Sequence, residues 1–315
     1  MNFFMTLLQV TLRTTAPLLF AAIGGLFSEK AGVLSIGMEG YMIAGAFTGF
    51  VAAFFTNNIY LGILAAALGG LLVSMVYGFL TVKMGGSGAV VGTACVAFAI
   101  GATGFFNRVL FGVRDTFSKI VPFKEIHIPV LSEIPVIGQI FFQHNLLVFL
   151  AFLLVPVAYF LLYRTSFGLE IRSVGEHPRA ADTVGLNVHA YRLCGVMISG
   201  IFGGIGGGYL SLAHANTFIE MMTAERGYIA FVIIIFGKYH PGGILLAALV
   251  FGFTEALQIR LQMQDFHIPY QFLSMLPYVI TLVAMIAAGR TLAPNSLGLP
   301  YNPFKKSLSK GVKQP

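Results

Sequence analysis

Tryptophan is absent from the 315 residues, cysteine occurs twice, and charged residues make up only 10% of the chain. A soluble globular protein carries about 25% charged residues. So few charges cannot cover a water-facing surface, which excludes a soluble enzyme, a nucleic-acid-binding domain and a disordered chain. The hydrophobic share of 57% and the mean hydropathy of +0.84 instead predict an integral membrane protein, whose surface partner is lipid.

The motifs of enzyme and metal sites are also missing. The chain has no G-x-x-x-x-G-K-[ST] loop for ATP, no H-E-x-x-H motif and no arguable Ser/His/Asp arrangement. Cys95 and Cys194 both lie in apolar stretches, so they predict neither a disulfide framework nor a zinc site. We therefore expect no catalytic residues, no metal and no cofactor in this chain.

Long apolar stretches dominate what is present. A membrane-crossing helix needs about 20 mostly apolar residues. Nine stretches are candidates: 4–27, 34–56, 60–82, 88–107, 145–163, 192–213, 227–239, 243–262 and 271–289. The seventh, 227–239, is short and suits a broken or partly re-entrant helix. The sequence thus predicts an all-α, polytopic fold that forms a single membrane domain over 1–315.

The polar stretches set the expected orientation. They are 108–144, 164–191 and a basic tail, 290–315. If 164–191 and the tail face the cytoplasm, twelve of the 19 Lys and Arg residues lie inside and seven outside, as the positive-inside rule favours. The net charge of +7 then comes from cytoplasmic loops and indicates no nucleic-acid partner. Nine spans would place the N-terminus outside a bacterial plasma membrane.

Two short patterns recur along the chain. F-A-A-I-G-G at 20–25 resembles F-G-G-I-G-G at 202–207, and E-G-Y-M-I-A at 39–44 resembles E-R-G-Y-I-A at 225–230 with a one-residue shift. The recurrence predicts an inverted repeat, with halves at about 4–107 and 192–289 and a linking helix at 145–163. Inverted repeats build alternating-access carriers whose path lies between the repeats. Chance matching of apolar segments is the alternative.

The most informative polar stretch is 164–191. Pro178 suits the first turn of a helix, residues 180–184 can continue it, and Gly185 can end it. The result is either an ordinary solvated helix or a helix that docks into a groove on a cytoplasmic partner. In the second case small residues allow close approach, and Glu176 and Arg179 set the register by charge.

Three runs carry a resemblance to a known family. G-E-H-P-R-A-A-D-T-V-G-L at 175–186 resembles the cytoplasmic coupling loop, G-x-N-P-x-A-A-x-x-x-G-I, of ABC-importer permeases of the branched-chain amino acid and simple-sugar type. L-F-S-E-K-A-G-V-L-S-I-G-M-E-G-Y-M-I-A-G-A at 26–46 is similar to their F-x-E-R-x-G-x-x-N-I-G-x-E-G-x-M stretch, and E-R-G-Y-I-A fits their later half. This chain departs from the family patterns at three positions: His177 and Ser35 stand where the patterns have Asn, and Leu186 stands where they have Ile.

The resemblance implies a function and a set of partners. The E-G-x-M variant is most like the nucleoside and simple-sugar branch, so a nucleoside is the first expected solute, with a simple sugar or a branched-chain amino acid as alternatives. The implied partners are an ATPase subunit with two nucleotide-binding domains, which binds the ATP, a second homologous permease, and an extracellular substrate-binding lipoprotein. The residues expected to couple to the ATPase are Gly175, Glu176, Pro178, Arg179, Ala180, Ala181 and Gly185.

A translocation path for a neutral, polar nucleoside needs hydrogen-bonding groups without net charge. We expect an unwound segment from Ser35 to Gly40 beside this path, because unwound backbone at membrane depth is tolerated only where it lines a cavity or is buried in protein. The candidate path residues are Ser35, Gly37, Glu39, Gly40, Tyr41, Asn107 and Tyr228. Glu39 could equally tie down its own turn.

Other classes of function remain open at this point. An ion-coupled secondary transporter would use Glu39 or Glu255 as its coupling site, although Glu255 could simply pair with Arg260. A membrane-bound enzyme would need convergent polar residues, which the sequence does not offer. A non-transporting scaffold subunit would lack an ATPase partner.

Overall fold

The computed structural model describes residues 3–112, 120, 123, 126–127, 143–263, 271–272, 275–276, 279–280 and 293–301. The helices in this part of the chain are α1 (Phe3–Lys30), α2 (Met38–Thr56), α3 (Ile59–Gly78), α4 (Gly88–Phe111), α5 (Leu146–Arg164), α6 (Ser166–Glu176), α7 (Pro178–Thr183), α8 (Val188–Tyr209), α9 (Arg226–Phe236) and α10 (Pro241–Met263). Helices α3 and α8 continue as π-helical turns, Phe79–Lys83 and Leu210–His214. Two short strands, β1 (Ile126–His127) and β2 (Gln143–His144), pair antiparallel.

Seven of these helices, α1 to α5, α8 and α10, are long and apolar enough to cross a membrane. They match seven of the nine predicted spans, which confirms an all-α, polytopic membrane fold. The predicted span at 227–239 is instead the 11-residue helix α9. At 1.5 Å per residue α9 is about 16 Å long, too short for a hydrocarbon core of about 30 Å. The predicted span at 271–289 lies largely outside the described residues.

Helix α1 is the central helix of the bundle. In its most apolar window 89% of the residues are buried, against 28% for α3 and α4. Helices α8, α10, α9 and α5 pack around it. The interior therefore forms around α1 and α8, the helices that carry the first pair of recurring patterns.

Glycine allows the closest helix contacts. A Cβ at Gly45 of α2 would overlap the backbone of Gly204 of α8, and a Cβ at Gly70 of α3 would overlap the carbonyl of Gly200. Small residues let backbones approach in lipid, where packing rather than the hydrophobic effect drives helix association. The glycine pairs of the sequence thus serve to bring α2, α3 and α8 together.

The outside of the bundle is apolar. Large side chains stay exposed along α3, α4, α5 and α10, among them Leu64, Leu68, Phe98, Phe160 and Leu246. Such a surface is stable when it faces lipid, as the helix lengths also indicate. The protein is therefore a multi-pass membrane protein.

One end of the bundle carries additional structure. Helices α6 and α7 connect α5 to α8 at the end where α1 stops, and residues 293–301 pack beside them. Lys30, the last residue of α1, lies over the ring of Tyr239 at this same end, with Nζ 5.9 Å from the ring centroid. We call this the α6–α7 end.

Candidate coupling surface and translocation site

The predicted coupling stretch folds as two helices with a sharp break. Thr165 caps α6, its Oγ1 accepting the N–H of Gly168 at 3.2 Å, and His177 interrupts the helix at φ −138°. Pro178 begins α7, as the sequence predicts. Proline suits this position because a backbone N–H in the first turn has no acceptor within the helix, so that no hydrogen bond is lost. After α7 ends at Thr183, Gly185 turns the chain at φ +89°.

The seven predicted coupling residues divide into exposed and inward-facing ones. Arg179, Ala180 and Gly185 are exposed, and Glu176 and Pro178 are half-buried. Gly175 and Ala181 are instead buried. Ala181 packs against Val174 and Val188, so it anchors α7 rather than presenting a contact. The docking role of the exposed residues stays a prediction.

A cleft of about 540 Å³ opens between α6–α7 and residues 293–301. Its lining includes Glu176, Arg179, Arg192, Asn295 and Tyr301. Burial, followed by a hydrogen bond with Asp182, raises the pKa of the Tyr301 hydroxyl, which therefore stays neutral at physiological pH. The cleft thus combines charged and aromatic groups at the surface that is predicted to meet the ATPase. The sequence does not reveal this cleft, because the lysines of 290–315 are typical of a solvated basic tail.

Glu39 forms a buried polar site between α2 and the start of α9. Its carboxylate accepts the backbone N–H of Gly227 at 2.6 Å and that of Glu225 at 3.2 Å, and the hydroxyl of Thr223 also donates to it. The first N–H groups of a helix lack partners within the helix and favour a negative charge. Glu39, which is 4% exposed, therefore stabilises the start of α9 from the neighbouring helix α2.

The backbone before α9 is unusual. Met221, Ala224 and Glu225 all have positive φ values, of 60°, 45° and 64°. Such conformations are costly for residues other than glycine and persist where surrounding contacts fix them. The contacts with Glu39 fulfil this role. They also join the second pair of recurring patterns, since Glu39 and Gly227 belong to one copy each.

The predicted unwound segment is wrong in extent. Residues 31–37 are non-helical, but α2 begins at Met38, so Glu39, Gly40 and Tyr41 are helical. The reason is local: Gly37 already has helical angles, and its carbonyl accepts the Tyr41 N–H at 3.2 Å.

The other predicted path residues are packed or distant. Ser35 is 1% exposed and donates to the Gly25 carbonyl at 3.1 Å, while Tyr41, also 1% exposed, packs edge-on to Tyr77. Gly40 packs on α4 at Cys95 and Val96. Asn107 lies about 16 Å further along α4 than this contact, at 1.5 Å per residue. Tyr228 is half-buried in α9. The structure therefore gathers Glu39 and its neighbours but does not bring Asn107 to them.

Glu255 has a different partner from the predicted one. Its carboxylate pairs with Arg226 of α9 and not with Arg260, and both side chains are mostly buried, at 18% and 17% exposure. Residues five apart on a helix do not share a face, so Arg260 is not placed to pair with Glu255. The pair fixes the start of α9 to α10.

An ion pair between Arg108 and Glu220 was missed entirely by the sequence. Arg108 donates two hydrogen bonds of 3.1 Å to the two oxygens of Glu220, and both side chains are well exposed. It joins the end of α4 to the segment before α9. No signal in the sequence links positions so far apart.

Within the described residues no three His, Cys, Asp or Glu side chains are placed to hold a metal ion. Cys95 is buried and Cys194 half-buried, and neither forms a disulfide. The candidate sites therefore consist of helix termini, ion pairs and a surface cleft, which suit binding and movement.

Known proteins align with nearly the whole of this bundle. The guanosine ABC transporter permease protein NupQ of Bacillus subtilis is 41% identical over 305 residues, which cover 94% of this chain and 96% of that protein. The nucleoside ABC transporter permease protein NupC of Lactococcus lactis is 39% identical, covering 91% and 93%. The putative glucose ABC transporter permease protein TsgC13 of Haloferax volcanii is 37% identical, covering 83% and 79%.

A family model described as "Branched-chain amino acid transport system / permease component" matches residues 7–288. This range includes most of α1, all of α2 to α10, the coupling stretch and the Glu39 site. The chain therefore belongs to this family of membrane permease components.

Proposed function

We propose that the chain is one permease subunit of an ABC importer for nucleosides. A permease component of this family works with an ATP-binding subunit and a substrate-binding protein, and such subunits are generally non-catalytic. The observation that carries the nucleoside assignment is the alignment with NupQ and NupC, named for guanosine and nucleosides, over more than nine-tenths of this chain.

The geometry around Glu39 supports alternating access. The short helix α9 starts inside the bundle and is held by Glu39 of α2 and by Glu255 of α10. In carriers, discontinuous helices with partly charged ends commonly form the substrate site between repeats, and the repeats rock against each other around that site. We propose that α9 and residues 31–37 move together when the path changes its opening, and that the halves 4–107 and 192–289 form an inverted repeat.

The exposed part of α6 and α7 is the proposed contact with the ATPase. Of the predicted coupling residues, Arg179, Ala180 and Gly185 are exposed and Glu176 and Pro178 are half-buried, while Gly175 and Ala181 hold the helices to the bundle. The ATPase would carry two nucleotide-binding domains and all of the bound ATP. A second, homologous permease and a substrate-binding lipoprotein would complete the importer.

A sugar is the second candidate solute. It is favoured by the 37% identity with TsgC13, which is named for glucose. A nucleoside is preferred because the two relatives with higher identity also cover more of this chain.

The experiment is uptake of labelled solute into proteoliposomes that hold the two permeases, the ATPase and the binding protein. We expect guanosine to enter only when ATP is supplied, and excess unlabelled glucose to leave the rate unchanged. Glucose uptake without guanosine uptake would replace the nucleoside assignment. Uptake driven by an ion gradient without ATP would contradict the importer class.

A further inference from the structure

We propose that residues 293–301, which we call the strap, are a positioning element that links the coupling helices to the moving parts of the permease. The strap would carry a displacement of α6 and α7 to the turn between α1 and α2, and from there to Glu39 and α9. This inference rests on the proposed function, since it needs an ATPase acting on α6 and α7. It gives the strap a role in transport.

The strap holds the last two residues of α6. The backbone N–H and the hydroxyl of Ser296 both donate to the Gly175 carbonyl, at 3.0 and 2.5 Å. The backbone N–H and the side-chain amide of Asn295 both donate to Oε2 of Glu176, at 3.3 and 2.9 Å. Any shift of this end of α6 therefore pulls on the strap.

The strap also holds α8 and the α1–α2 turn. Arg192 of α8 donates to the Ser296 hydroxyl at 3.1 Å and to the Leu299 carbonyl at 2.8 Å, and the N–H of Gly298 donates to the Gly32 carbonyl at 3.0 Å. Arg192 is only 3% exposed. A buried guanidinium is costly without hydrogen bonds, so these contacts keep the strap in place.

Gly32 is the point where these elements meet. Its φ is +88°, and a Cβ at this position would lie 2.6 Å from Oγ of Ser296, 3.1 Å from Nη2 of Arg192 and 3.4 Å from Cα of Gly175. The backbone of the coupling helix and the side chains of Ser296 and Arg192 thus all meet at Gly32, which has no side chain of its own. Close-packed interiors transmit strain because they have low compressibility.

From Gly32 the turn leads directly to Glu39. Side chains of α1, α3 and the turn itself fix it: Ser28 donates to the Val33 carbonyl at 3.0 Å, Tyr77 to the Leu34 carbonyl at 2.5 Å, and Ser35 to the Gly25 carbonyl at 3.1 Å. Glu39 follows at the start of α2 and holds the first N–H groups of α9. A continuous set of contacts therefore joins the proposed ATPase surface to the short helix.

A direct contact between α6 and α1 offers a second route. A Cβ at Gly175 would overlap the Lys30 carbonyl, so these two backbones also touch without the strap. If this contact alone carried the displacement, the side chains of the strap would be dispensable for coupling. The two routes therefore predict different outcomes for strap variants.

The test measures guanosine transported per ATP hydrolysed, in proteoliposomes that hold the complete importer. The variants are Asn295→Ala and Ser296→Ala, with Ser296→Thr as the conservative variant that keeps the hydroxyl. The matched control is Leu299→Ala, because that side chain is 60% exposed and the carbonyl that Arg192 contacts is retained. The amount of co-purified ATPase reports assembly separately.

We expect Asn295→Ala and Ser296→Ala to lower the transport-to-hydrolysis ratio at least about fivefold, the lower end of typical coupling between sites, with unchanged ATPase binding. Ser296→Thr and Leu299→Ala should keep the wild-type ratio. A wild-type ratio in both alanine variants would overturn the role of the strap. If Ser296→Ala fails to assemble, Asn295→Ala decides alone, because that residue is exposed. Absence of guanosine uptake in the wild-type protein would instead overturn the proposed function.

Discussion

At the scale of single residues, Glu39 and Gly32 are the positions on which the account depends most. Glu39 provides a charge at a helix start that belongs to another part of the sequence, and Gly32 provides space where three elements meet. The sequence indicated that Glu39 mattered, because a carboxylate in an apolar segment is costly. It could not show the partner, since Gly227 is far away along the chain.

Replacing Glu39 with Gln should weaken the start of α9. The amide keeps the shape but loses the charge that the N–H groups of Glu225 and Gly227 favour, and hydrogen bonds to charged groups contribute about 1.5–3 kcal/mol. We expect a lower unfolding temperature in detergent and reduced guanosine uptake. Glu220→Gln is the control, because its ion pair with Arg108 is exposed and contributes little. Wild-type uptake by Glu39→Gln would show that Glu39 contributes to packing only and has no role in transport.

Gly32→Ala and Gly185→Ala form a matched pair of substitutions. Both glycines have nearly the same φ, +88° and +89°, but a Cβ at Gly185 meets nothing within 4 Å, whereas one at Gly32 meets Ser296 and Arg192. The left-handed backbone costs each variant about 1–2 kcal/mol. Overpacking adds about 1–3 kcal/mol at Gly32 alone. We expect thermal unfolding in detergent to show a larger loss for Gly32→Ala. Equal losses would contradict the close contact.

At the scale of elements, α9 and the α6–α7 pair are the parts that differ from simple spans. The shortness of α9 and the start of α7 at Pro178 could be predicted, because charged residues and proline give strong local signals. The helix at 166–176 also has a local signal, since Phe167, Ile171 and Val174 recur at helical spacing. The packing of the strap could not be predicted, because it depends on contacts with α6, α8 and the α1–α2 turn, which no local pattern records.

The Arg226–Glu255 pair should be important for the placement of α9. Breaking a buried ion pair by removing one partner costs about 3–5 kcal/mol, because the remaining charge stays buried. We expect Glu255→Gln to lower the unfolding temperature markedly in detergent, whereas Arg260→Gln should have a small effect, since Arg260 is not the partner of Glu255. A larger loss for Arg260→Gln than for Glu255→Gln would instead support the Glu255–Arg260 pair that the sequence suggested.

Replacing Glu176 and Arg179 together with Ala should separate transport from ATP hydrolysis. These residues lie on the accessible part of the α6–α7 surface, and Glu176 also holds Asn295. We expect normal membrane insertion, and guanosine uptake reduced at least about fivefold, the lower end of typical coupling. Leu169→Ala, at an exposed position of α6 outside the predicted coupling residues, serves as the control. Unchanged uptake together with unchanged stimulation of the ATPase would contradict the docking role.

At the scale of the whole molecule, composition and the long apolar runs were enough to predict the class of protein. A low charge content and long apolar runs lead directly to the seven long helices and the apolar exterior of the part that the structure describes. The predicted inverted repeat and the orientation of the N-terminus remain predictions. The hydrogen bond from Gly227 to Glu39 joins the two copies of the second recurring pattern.

The most direct measurement asks on which side of the membrane the α6–α7 end lies. Ala180→Cys places a thiol at an exposed position, and Cys95 and Cys194 can be replaced by Ala to remove background labelling. A membrane-impermeant thiol reagent is then applied to right-side-out and inside-out vesicles. The account predicts labelling in inside-out vesicles only. Labelling in right-side-out vesicles would contradict it, because an ATPase in the cytoplasm could not reach that surface.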